Sequence, residues 1–253
     1  MVADPLAEPL DPLPAETVQP PTLHDRLGAL FEVVVCSGFP SQLLLILLFS
    51  LVGLAPADDA GGLSLSYLVL LSLVDAGLVL GLVWVFLRAH GERPAALFLG
   101  VRRPLREAAL GLLLMPIALA LAALTFGVIL QIAPTLRNVP ENPLEALILA
   151  PGGLFWFAVV SVVAGGLREE IQRAFILHRF EQRLGGALVG LVVFSAAFGL
   201  GHLVQGRDAV VVTALLGGFW GIIFLLRRSV VAPVVCHAAF NLTEIAIAYA
   251  TSG

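Results

Sequence analysis

Glu169 and Glu170 stand side by side, with Arg173 one helical turn further on, in a chain otherwise apolar enough to live in a bilayer. A charged group in hydrocarbon costs a few kcal/mol even on the most lenient scales, so such groups pair, face a water-filled cavity and work. Two later apolar segments add His202, four residues after Phe198, and His237, four residues before Asn241. A carboxylate beside a histidine can activate water as a general base and pass the proton to a leaving amine. A second histidine and an asparagine amide can donate hydrogen bonds to the oxyanion of a tetrahedral intermediate. The same Glu, His, His and Asn can instead hold a metal, with water in an open position. Either route hydrolyses an amide. The chain has no HExxH pair, no GxSxG elbow and no CxxC, so the zincin, serine-hydrolase and dithiol signatures are absent.

Spacing along each segment is coherent. On a helix Glu169 and Arg173 are i,i+4 and Glu170 and Arg173 are i,i+3, so the arginine can neutralise either carboxylate. His237 and Asn241 share a face, and Glu244 extends that stripe. Cys236 adjoins His237, but neighbours on a helix point about 100° apart, which argues against a thiol–histidine dyad. Asp75, midway along an earlier apolar run, reads as a polar contact between helices.

These residues need membrane helices to position them. The chain has 253 residues, 59% hydrophobic and 13% charged, with a mean hydropathy of +0.99. Soluble domains carry about 25% charged residues, so the composition gives an all-α, polytopic transmembrane helix bundle. At about 20 residues per span the length accommodates seven to eight spans. Apolar runs place them near 29–54, 63–87, 108–132, 155–178, 187–206, 209–226 and 230–250, with a short helix at 144–153. Both cysteines fall inside these runs, so no disulfide framework is expected. The first 25 residues hold six Pro, five Asp or Glu and no Lys or Arg. They lack the basic start and apolar run of a signal peptide and read as a disordered acidic tail. The chain then divides into a cytoplasmic tail (1–26), N-terminal membrane helices (27–143) and a catalytic membrane core (144–253).

All fourteen basic residues are arginines, and nothing in their placement suggests a nucleic-acid surface. Arg88, Arg93, Arg102, Arg103 and Arg106 share one loop, Arg179 and Arg183 another, Arg227 and Arg228 a third, and Arg26 precedes the first span. The alternate loops hold Arg137 and Arg207. This asymmetry puts the N-terminus and the Arg-rich loops in the cytoplasm. The Arg88–Arg106 cluster is first a topology determinant, with contact to anionic headgroups as a by-product. Counting about 1.5 Å per residue from the nearest interface, Glu169 lies about 15 Å deep, His202 about 22 Å, and His237 and Asn241 about 10 and 17 Å. All fall within a hydrocarbon core of about 30 Å.

In this order on apolar helices, the Glu-Glu…Arg run, the FxxxH segment from Phe198 to His202 and the HxxxN segment from His237 to Asn241 resemble the motifs of CPBP intramembrane proteases. That family includes type II CAAX prenyl endopeptidases and bacterial proteins linked to bacteriocin processing and self-immunity. The resemblance covers about residues 150–250. It implies an intramembrane endopeptidase with Glu169, Glu170, His202, His237 and Asn241 as catalytic residues, supported by Arg173 and Phe198. The family's first motif is EExxxR, whereas this chain has EExxR. Anchoring on Arg173 puts Arg168 at the first glutamate position; anchoring on the carboxylates keeps both glutamates and shifts the arginine. In the family the first glutamate is the base, which makes Glu169 the expected base and Glu170 its reserve. Two alternatives stay open: a catalytically inactive immunity or scaffold protein, through Arg168, and a transporter, since buried Glu and Arg also mark ion paths.

If a metal is held, the expected ligands are Glu169, His202 and His237, and the expected metal is zinc. Asn is a poor zinc ligand and no HExxH pair pre-organises the set, so metal-independent hydrolysis is the favoured expectation. The implied partners are the lipid bilayer and a membrane-embedded or lipid-anchored peptide, in a bacterial plasma membrane.

Overall fold

The computed structural model describes residues 20–58, 62–139, 142 and 144–251. Among them the chain is helical, without a β-strand. The acidic tail expected over 1–26 lies outside the described residues up to position 19; Leu23–Arg26 already form the first turn of α1 (Leu23–Val35). That helix starts cleanly because Thr22 and Asp25 form a reciprocal capping box. Gly38, in the left-handed region at φ 86°, turns the chain into α2 (Phe39–Leu51), which is bent 46° from α1. A long helix, α3 (Leu65–Ala89), follows from a Ser64 cap. Next come the short α4 (Pro94–Phe98) and the 29-residue α5 (Pro104–Ile132).

The second half opens with α6 (Glu145–Leu149) and then runs without a break through α7 (Gly153–Val160), a π-helical segment (Ser161–Arg168) and α8 (Glu169–Arg183). Three helices complete the bundle: α9 (Ala187–Leu200), α10 (Arg207–Arg227) and α11 (Val231–Thr251).

A helical membrane bundle is therefore the architecture. Four helices, α3, α5, α10 and α11, are long and apolar enough to cross a membrane, and the bent α1–α2 pair makes a fifth if it is one span. The remaining two runs in the expected seven to eight spans do not meet that measure. The 155–178 run carries Arg168, Glu169, Glu170 and Arg173, and the 187–206 run gives a helix of only 14 residues ending at Leu200. Both are held from the side instead. The α8 helix packs on α1, α3, α9, α10 and the π segment, and α9 packs along α10. A close backbone approach joins α5 to α11: a Cβ on Gly111 would stand 2.5 Å from the Ala232 carbonyl oxygen. Small residues serve this purpose where apolar side chains gain nothing by leaving lipid.

Candidate active site

The α8 helix carries three of the expected polar residues, and burial decides what each can do. Glu170 and Arg173 are both 1% exposed and form an ion pair within one turn. The same Glu170 Oε1 accepts a hydrogen bond from Nδ1 of His237 on α11 at 2.8 Å. A carboxylate at Nδ1 puts the ring proton there, which leaves Nε2 as the acceptor. The His237 Nε2 atom lies 3.9 Å from Oε2 of Glu169, whose side chain is 19% exposed. So the two adjacent glutamates have separate surroundings. Glu170 is locked into a buried Arg–Glu–His chain, and Glu169 faces the imidazole from the accessible side.

Aromatic rings close the other faces. The Trp220 indole of α10 stacks on His237, with centroids 3.6 Å apart and planes at 15°. The Arg173 guanidinium lies 4.8 Å over the Phe198 ring and 5.8 Å from that of Trp220. Phe198 also touches both histidines edge-on, His202 at 5.0 Å and His237 at 6.3 Å between centroids. Thus Phe198 is the wedge through which α8, α9 and α11 meet.

His202 sits at the end of α9, half-buried, with Nδ1 3.0 Å from the Phe198 carbonyl oxygen of its own turn. It joins the group through Phe198 and has no hydrogen bond to either glutamate. Asn241, one turn beyond His237, donates from Nδ2 to the Ser161 carbonyl at 3.4 Å. That carbonyl begins the π segment, whose wider turns leave carbonyls open to outside donors. Gly165 makes the contact possible, since a Cβ there would stand 2.6 Å from the Asn241 amide nitrogen.

Arg168 turns away from this group. It pairs with the buried Asp75 of α3, which also accepts from the Ser41 hydroxyl at 2.5 Å. Its Nη1 remains 3.7 Å from Glu169. Asp75 is thus a contact between helices, and Gln172 adds another by donating to the Cys36 carbonyl at 2.6 Å. Both tie the bend between α1 and α2 to the helix that carries the glutamates. Glu244 is exposed and outside the group. Among the described residues no three His, Cys, Asp or Glu side chains converge as metal ligands would. Glu169, His202 and His237 therefore do not converge on one point in this arrangement, although the Nδ1 contacts of the two histidines leave Nε2 of each free of them.

Trp220, Ser161 and Ser41 escaped the sequence reading. An aromatic in an apolar run and a serine that lends only its carbonyl leave no mark, whereas Gln172, polar and mid-helix beside Arg173, was a usable signal.

Comparison with known proteins falls on the same helices. Residues 150–243 match the family model described as type II CAAX prenyl endopeptidase Rce1-like. Over 109 residues, 40% of the chain, the sequence is 29% identical to a protein named as an NrfD homolog from Haemophilus influenzae. The match spans 33% of that protein, so the chain covers about a third of this relative's length. No solved structure matches the chain. The family match begins just before α7 and ends within α11, enclosing Glu169, Glu170, Arg173, His202, His237 and Asn241. It supports the resemblance that the three motifs carry: residues 150–243 are similar, at the level of family, to the Rce1-like CAAX-type intramembrane proteases.

Proposed function

We propose that the protein is an intramembrane endopeptidase in which Glu169 and His237 hold and deprotonate the attacking water. The observation that carries this reading is the buried Arg173–Glu170–His237 chain, which presents Nε2 towards Glu169 across 3.9 Å. That gap is too long for a direct hydrogen bond and short enough for the two groups to share one water. The water's proton passes to Glu169, and the carboxylic acid so formed delivers it to the leaving amine. Asn241, with one amide N–H given to Ser161, has its second N–H to offer the tetrahedral oxyanion, and His202 approaches from the α9 side. Glu170 orients the ring and does not take the proton.

The mechanism is proposed without a metal, with Glu169 and His237 activating the water directly; zinc on Glu169, His202 and His237 is the alternative. The substrate class is a membrane-embedded or lipid-anchored peptide, and the topology proposed from the arginines puts the Arg-rich face in the cytoplasm of a bacterial cell. Comparative proteomics of membranes from cells carrying the wild-type protein or Glu169→Gln tests this reading. A membrane peptide whose cleavage stops in the variant is the expected result. Identical peptide profiles, with the variant present at normal abundance, would refute it. The inactive-scaffold alternative draws on Arg168, and a cellular phenotype fully rescued by the Glu169→Ala, Glu170→Ala double variant would favour it.

A further inference from the structure

A cleft of about 540 Å3 opens at the Arg-rich end of the bundle, away from the glutamates, between α4, α8 and the turn joining α10 to α11. Its floor is apolar, with Leu97, Val101 and Phe224; on its rim His178 is engaged by Glu92 and Arg228 by Glu181, which leaves Arg93 as the cation without a carboxylate at its side. The charges around it do not balance. Each acidic side chain described at this end is already bound: Asp25 to Arg183, Glu32 and Glu92 to Arg179, Glu107 to Arg227, and Glu181 to Arg228. Arg88, Arg93, Arg102, Arg103 and Arg106 are exposed; Arg102 lies within the field of Glu107, which is itself ion-paired to Arg227.

The position of this surplus is set by the helices on either side. Arg88 lies in the last turn of α3 and Arg106 in the first turn of α5, both candidate spans, so the segment between them lies at a membrane interface. That segment also directs apolar groups outward: Val101 is 100% exposed and Leu105 86%. Arg93 at the rim and the exposed Arg102 and Arg103 just beyond it, next to an apolar floor and to aliphatic side chains entering the boundary, suit a ligand that has an anionic head and hydrocarbon tails.

We propose that an anionic phospholipid of the adjoining leaflet binds at the mouth of this cleft, with its phosphate on Arg93 of the rim and on Arg102 and Arg103 beside it, and an acyl chain against Leu97, Val101 and Phe224. The cleft is separate from the glutamate site, and the inference stands whether or not the protein is a protease. Basic pockets between membrane helices are a recurrent way to hold such headgroups.

Native mass spectrometry of the purified full chain tests it, using micelles that contain equal amounts of phosphatidylglycerol and phosphatidylcholine with the same acyl chains. The wild type is expected to retain phosphatidylglycerol by about tenfold over phosphatidylcholine. The Arg93→Gln, Arg102→Gln, Arg103→Gln triple variant is expected to lose most of that preference, while Arg207→Gln, at the opposite end of α10, keeps it. Equal retention of the two lipids by the wild type would overturn the proposal. So would an undiminished preference in the triple variant, or an equal loss in Arg207→Gln. Inorganic phosphate added as competitor should leave the bound lipid in place; its displacement by phosphate alone would mean a simple anion site and would also overturn the proposal. Thermal unfolding in phosphatidylcholine alone, expected to be the same for all three proteins, separates a lost site from a lost fold.

Discussion

Glu169 and Glu170 are neighbours in sequence, yet the structure gives them different tasks, and substitution should separate them. Glu169→Gln removes a charge from a half-open position and should lower turnover by roughly 100-fold or more while leaving thermal unfolding nearly unchanged. Glu170→Gln strips the partner from a buried Arg173 and should cost about 3–5 kcal/mol of stability, besides releasing the His237 ring. Unfolding curves and turnover measured together distinguish the two, and a stable but inactive Glu170→Gln would transfer the base to that residue. Trp220 acts on His237 from above: Trp220→Leu should lower kcat about tenfold with little change in KM, and Trp220→Phe should recover part of it by restoring a flat face. A equal loss in both variants would mean that the indole only fills space. The glutamates and histidines were legible in the sequence because charge in an apolar run is conspicuous. Trp220 was not, because nothing distinguishes a ring that orients a histidine from one that fills a core.

The π segment is the element that links the two halves of the site. Its first carbonyl, at Ser161, accepts from Asn241, and Gly165 leaves the room this needs. Gly165→Ala should therefore displace Asn241 and reduce activity about as much as Asn241→Ala does, with only a modest loss of stability; if activity survives, the amide has no part in the reaction. Sequence periodicity could not reveal this segment, since one widened stretch within a continuous apolar helix leaves the hydrophobic pattern intact. The motif register carried a trace of it: Arg168 ends the π segment and turns to Asp75, so the carboxylates at 169 and 170 face α11. The bend at Gly38 was equally hidden inside the 29–54 run, although a glycine followed by Pro40 marks a place where a helix can break.

In the molecule as a whole, α8 is a charged helix enclosed by apolar ones, and its far end is tied down by ion pairs. Burial favours protonation of Glu92, but the Arg179 hydrogen bond and charge, with His178, outweigh it and hold the carboxyl below its ordinary 4.5. The bidentate Arg228 pair holds Glu181 below the same value. A depressed carboxylate contributes stability above its unfolded pKa and loses it as pH falls through the folded value. The protein should thus unfold at a constant temperature from neutral pH down to about 5, then less stably as pH drops below 4.5; Glu92→Gln should flatten that decline. Differential scanning fluorimetry across this range checks it. The bundle and its polar centre were readable from composition and motifs, whereas the number of crossings was not. The apolar run at 155–178 marked the region of α8 as a span, but its charges keep that helix below the length and apolarity of a lipid-facing crossing, because its neighbours shield them.

The most direct measurement is cleavage of a synthetic peptide bearing a prenylated cysteine and three further residues, followed by mass spectrometry in water enriched in 18O. Purified protein is reconstituted in nanodiscs and stripped with chelator beforehand. The mechanism requires that cleavage of a lipid-anchored peptide such as this one place one 18O in the new carboxylate and that chelation leave the rate unchanged. Glu169→Gln should be slower by roughly 100-fold with the same unfolding temperature. A rate in Glu169→Gln equal to the wild type, or wild-type activity that vanishes on stripping and returns with stoichiometric zinc, would contradict it.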